Sequence, residues 1–69
     1  MYKLYLLPKP YSFSDETYVY WILSEHFDSS DYEVQRTHLG IIVQIYGQFG
    51  IMKMQLLKPE ALIEYPERQ

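Results

Sequence analysis

A small α+β domain is what this sequence predicts: one α-helix packed on a three- to four-stranded, mainly antiparallel sheet, with elements in the order β-α-β-β-β. Three observations lead to it. Side chains alternate with period two around residues 2–7, 41–46 and 51–57. The stretch from Asp15 to Phe27 contains no helix breaker, and Gly40, Gly47 and Gly50 fall where the later segments need turns. With 69 residues, the chain is expected to form a single domain over residues 1–69. A domain of this size buries only about 60% of the surface its unfolded chain exposes, so a disulfide, a metal or a partner subunit is the usual supplement. There is no cysteine, which removes the first.

In the first strand Tyr2, Leu4 and Leu6 share one face and Lys3, Tyr5 and Leu7 the other; Pro8 and Pro10 stop it because proline cannot donate to a ladder. This strand is expected at a sheet edge. Ser14, followed by Asp15 and Glu16, is the expected helix cap, with Ser12 as its rival, and carboxylates suit the positive end of the helix dipole. Asp28-Ser-Ser-Asp31 closes the helix with side chains that compete for backbone bonds. Tyr32 to Thr37 is a polar strand, Leu39-Gly40 a turn, and Ile41 to Tyr46 the strongest strand in the chain. A turn at Gly47-Gln-Phe-Gly50 leads to an expected strand over Ile51 to Leu57. The helix is expected to cover Ile41, Val43, Ile45, Met52, Met54 and Leu56. After Lys58, the segment Pro59 to Tyr65 has the makings of a turn or two of helix that Pro66 ends.

At 100° per residue the helix is apolar on two sides, with Val19, Tyr20, Leu23 and Phe27 on one and Tyr18, Trp21 and Ile22 on the other. One sheet covers one side only. Either Tyr18, Tyr20 and Trp21 wrap the rim of the core with their polar tips in water, or they form an interface, as a homodimer contact or a docking site for another protein. The twofold contact of a homodimer has two candidates, the helix and an unpaired edge strand.

Charge is placed unevenly within a net −3. Six carboxylates, Asp15, Glu16, Glu25, Asp28, Asp31 and Glu33, lie between Pro10 and Gln35 with no lysine or arginine among them. Such a run is often only a solvated face. Its functional reading is a protein partner with a basic surface, steered by the carboxylates and anchored by Tyr18, Tyr20 and Trp21. Basic clefts are commonest on nucleic-acid-binding proteins, so a small acidic inhibitor that mimics the phosphate backbone is the expected function. Small acidic inhibitors made by phages resemble this chain in size, charge and aromatic content. A composition of 48% hydrophobic residues argues against a disordered tail, and no apolar run approaches the roughly 18 residues of a membrane span. The opening MYKLYLLPKP does not read as a signal peptide, so a soluble protein of the cytoplasm is expected, the host's if the chain is viral.

No motif names a reaction, and no enzyme activity, cofactor or metal is expected. His26 and His38 are separated by Asp28, Asp31 and Glu33 in a spacing that matches no zinc or calcium pattern. Neither a nucleophile turn beside Ser24, Ser29 or Ser30 nor a phosphate-binding glycine loop is present. The rival function is a single-stranded nucleic-acid platform on an open sheet face carrying Lys3, Tyr5, Gln44, Tyr46, Lys53 and Gln55. Net charge opposes it, because an acidic chain repels phosphates at distance, so direct nucleic-acid binding is not the first expectation.

Overall fold

The computed structural model describes residues 1–66. Its strands are β1 (Tyr2–Pro8), β2 (Tyr32–Thr37), β3 (Gly40–Tyr46) and β4 (Ile63–Glu64), and its helices are α1 (Phe13–His26) and α2 (Gln48–Leu57), with a short 3-10 turn at Ser29–Asp31. The four strands form one antiparallel sheet in the order β2-β3-β1-β4. The expected α+β class and antiparallel sheet are therefore present. Both helices lie on the same sheet face. There Val19, Ile22 and Leu23 of α1, the following Phe27, and Met54 of α2 pack against Tyr5, Leu7, Ile41, Val43 and Ile45, with Leu62 closing the cluster.

The pairing of β1 with β3 sets the faces. Tyr5 stands opposite Val43 and Leu7 opposite Ile41, and opposed residues in an antiparallel pair share a face. Tyr5 is thus carried into the core with Val43 and is fully buried, not displayed on the open face as expected. Lys3, opposite Ile45, lies on the helix side as well, where its Nζ meets Glu64 at 3.1 Å. The open face instead carries Tyr2, Leu4, Leu6, Ile42, Gln44 and Tyr46. Leu6 is nonetheless buried there between its register partners Ile42 and Ile63.

Ser12, not Ser14, caps α1. Its hydroxyl accepts the Asp15 N–H at 3.0 Å while the Asp15 carboxylate accepts the Ser12 N–H at 3.5 Å, a reciprocal capping box. Phe13 thereby becomes the first helical residue. The Thr37 hydroxyl donates to the Gly40 carbonyl and accepts the Leu39 N–H, which fixes the turn between β2 and β3.

The segment Ile51 to Leu57, expected as a strand, is most of α2. Met, Lys, Gln and Leu all favour helix, and only Ile51 is β-branched, so propensity here opposes the apparent alternation. Ile51, Met54 and Leu57 recur at helical spacing and turn inward. Met52 and Leu56, expected in the core, are exposed. The expected helix over Pro59 to Tyr65 is a turn followed by β4, which pairs Glu64 with Tyr5 and Ile63 with Leu6. That pairing makes β1 an interior strand instead of the expected edge.

Two glycines have positive φ for different reasons. Gly40 (φ 141°) lies where β3 starts against β1, and a Cβ there would sit 2.0 Å from the Leu7 carbonyl oxygen. Gly47 (φ 80°) caps α2 in open space. Gly40→Ala is expected to cost roughly 3 kcal/mol or more because the obstacle is backbone, and Gly47→Ala about 1 kcal/mol for its backbone angle alone. Urea denaturation of the two variants checks the contrast.

The Tyr5 hydroxyl is buried without a hydrogen-bond partner among the described residues. Burial pushes its pKa above the ordinary 10.0, an effect that Lys3 opposes and Glu64 reinforces. Above pH 10.0 the unfolded chain surrenders this proton before the folded chain does, so stability falls as pH rises through the folded-state value. Tyr5→Phe is expected to stabilise the protein at neutral pH by about 1 kcal/mol and to flatten the alkaline decline, measured by urea denaturation on either side of pH 10.0.

Candidate functional site

The outer ridge of α1 is a surface that the core does not use. Ser14, Tyr18, Trp21 and Glu25 recur at spacings of four, three and four, which places them in line on the side away from Val19, Ile22 and Leu23. Tyr18 and Trp21 stack with ring centroids 5.9 Å apart and planes 16° from parallel, and each is about half exposed. The His26 ring meets the far side of the cluster edge-on, 5.9 Å from the Trp21 centroid. Phe13 is 82% exposed and, with Ser14, Thr17, Tyr18 and Trp21, lines a shallow depression of about 380 Å³. Phe13 was not among the expected site residues, because a helix capped at Ser14 would have left it outside; the Ser12 and Asp15 pair is the sequence signal that brings it in.

The six carboxylates do not act as one surface. Asp15 is spent on the capping box. Glu16 pairs with Arg36 of β2, whose guanidinium also lies 5.9 Å from the Tyr20 ring centroid and is held firmly protonated by that carboxylate. Tyr20 accordingly packs toward β2 as part of the core rim and does not join the ridge. Glu33 is on the open sheet face opposite Gln44, where its carboxylate accepts the Tyr46 hydroxyl and holds that phenol's pKa above its ordinary value. Glu25, Asp28 and Asp31 remain exposed, with no side-chain hydrogen bond or ion pair among the described residues. The structure thus sets Tyr18, Trp21 and Glu25 in line along the outer side of α1, with Asp28 and Asp31 exposed beyond its C-terminal end.

The residues of the nucleic-acid platform are scattered. Tyr5 is buried, Lys3 pairs with Glu64, and Lys53 and Gln55 belong to α2. Lys53 Nζ donates to the His26 carbonyl at 2.8 Å and lies 5.3 Å from the Phe27 ring centroid. Only Gln44 and Tyr46 lie on the open face, and Tyr46 is tied to a carboxylate there. Among the described residues no group of three or more His, Cys, Asp or Glu side chains is placed to hold a metal, and no helix is long and apolar enough to cross a membrane. A second apolar stripe, Phe49, Met52 and Leu56, runs along the outside of α2; expecting a strand there hid it.

Exposure separates the ridge from the core energetically. Trp21→Ala removes a half-exposed ring and one stacking contact, for an expected loss of about 1 kcal/mol, whereas Ile22→Ala empties a buried site and is expected to lose roughly 3 to 4 kcal/mol. Thermal melts of the two variants check this, with the larger drop at Ile22. No family model matches the chain, and comparisons with curated proteins and with solved structures yield no match either.

Proposed function

We propose that this protein is a non-enzymatic binding module, a small acidic inhibitor of the kind made by phages, which lays the outer ridge of α1 against a basic cleft on a larger nucleic-acid-binding protein. The observation that carries the reading is the Tyr18–Trp21 stack: two large rings, half exposed, on a helix whose inward side already fills the core. Stiff aromatic side chains lose little entropy on docking and are the common anchors of binding hot spots. Glu25 continues the same ridge and Asp28 follows just past the end of α1, both without an ion-pair partner among the described residues, and no lysine or arginine lies between Pro10 and Gln35 in the chain. A surface built to hold phosphates is complementary to that arrangement. Its occupation by carboxylates would displace nucleic acid by competition.

The roles of the two residue types differ in kinetics. Exposed charge acts on association and is screened beyond about 10 Å at 0.1 M salt, whereas a desolvated ring acts on dissociation. Proteins captured from a host lysate on the immobilised parent chain should therefore include a basic protein that duplex DNA displaces. With that protein in hand, Glu25→Lys combined with Asp28→Lys is expected to slow association several-fold and flatten its salt dependence. Trp21→Ala should speed dissociation by about 30-fold, the equivalent of roughly 2 kcal/mol, with a melt lowered only by the small loss expected for a half-exposed ring. Capture that is indifferent to both variants and to competing DNA would sink the proposal.

A further inference from the structure

The sheet ends differently at its two edges. β4 is two residues long and sits between Pro59 and Pro66, a blunted edge. β2 has six residues, pairs with β3 without a bulge from Tyr32 opposite Ile45 to Thr37 opposite Gly40, contains neither proline nor lysine, and has no strand on its outer side among the described residues.

The direction of its main-chain groups follows from the ladder. The Lys9 N–H donates to the Leu39 carbonyl at 3.1 Å and the Gly47 N–H to the Met1 carbonyl at 3.0 Å. These bonds flank the Pro8–Gly40 and Tyr2–Tyr46 pairs, which are therefore of the non-hydrogen-bonded kind. Gly40, Ile42 and Gln44 consequently turn their own N–H and C=O groups toward β2, onto Thr37, Gln35 and Glu33. Tyr32, Val34 and Arg36 are left with N–H and C=O groups pointing out of the sheet.

We infer that β2 is the seam of a homodimer, pairing antiparallel with β2 of a second copy about a twofold axis at Val34 to make one continuous sheet from both copies. The strand is self-complementary in this register. Centred on Val34, Val34 faces Val34, Tyr32 faces Arg36 and Glu33 faces Gln35, and every outward N–H and C=O of Tyr32, Val34 and Arg36 finds a partner. Centring on Glu33 or Arg36 would oppose like charges, and centring on Gln35 would set Tyr32 against the turn. Helix α1 leans over this edge through the Glu16–Arg36 pair and Tyr20. The seam leaves the Tyr18–Trp21 ridge uncovered, so it stands independently of the proposed binding activity.

Light scattering of the full chain over a concentration series tests the seam, with amide exchange recorded alongside. The expected result is a mass rising from 8.4 kDa to twice that value, with the Val34 amide gaining protection as the dimer fills. Gln35 is exposed, so charging it leaves the fold intact. Gln35→Lys places opposite charges across the seam twice and is expected to lower the dissociation constant by roughly 2- to 30-fold; Gln35→Glu should raise it by a similar factor. A mass fixed at 8.4 kDa overturns the inference. So does a dimer whose Val34 amide stays unprotected, or one that both Gln35 variants weaken alike, the signature of a Gln35-centred register.

Discussion

Every other placement in this protein follows from β1 lying between β3 and β4. Seven consecutive pairs, from Tyr2 opposite Tyr46 to Pro8 opposite Gly40, lock β1 to β3, and with the register fixed there is no freedom left in which side chains face the helices. Gly40 is the point on which this close approach turns, because the Leu7 carbonyl occupies the space any side chain would need. A polar tip does not exempt Tyr5 from the arrangement. It enters the core because Val43 does, and its hydroxyl goes unpaired as a result.

Both helices cover one face of the sheet and leave the other without a covering helix, an economy imposed by chain length. α1 and α2 together bury Val19, Ile22, Leu23 and Met54 against five strand residues, and Phe27 and Leu62 seal the margins. Nothing further in the described chain is left to cover the outsides of the helices, so Phe13, Tyr18 and Trp21 on α1 and Phe49, Met52 and Leu56 on α2 stay largely exposed. Exposed apolar groups in such number on so small a surface are a feature of proteins that meet partners.

The acidic run divides by local geometry. Carboxylates near the start of α1 are drawn into the fold, Asp15 by the Ser12 N–H that it accepts at the helix cap and Glu16 by Arg36 across on β2. Those at and just past its end, Glu25 and Asp28, meet no donor among the described residues and stay exposed to solvent. Charge that looks continuous along the chain is thus left unpaired only toward and beyond the C-terminal end of α1.

The sequence by itself determined the α+β class, the long helix, the hairpin of β2 and β3, and the inward set Ile41, Val43 and Ile45, because period-two and unbroken helical stretches are local signals that survive in any tertiary setting. It left Tyr18, Tyr20 and Trp21 open as core rim or interface and set Ile22 beside them; the tertiary structure buries Ile22, packs Tyr20 against the core and leaves Tyr18 and Trp21 half exposed. The identity of residues 51–57 was decided by the tertiary structure: alternation and helical spacing coexist in Ile-Met-Lys-Met-Gln-Leu-Leu, and burial of Met54 against β3 and β1 selects the helix. The fourth strand then had to come from Ile63 and Glu64, too short to announce itself by pattern, which moved β1 to the interior and left β2 as the open edge. Sheet order and the facing of Tyr5 were likewise beyond local reading, since both depend on hydrogen bonds between segments more than thirty residues apart, such as Leu7 with Ile41 and Tyr65 with Leu4.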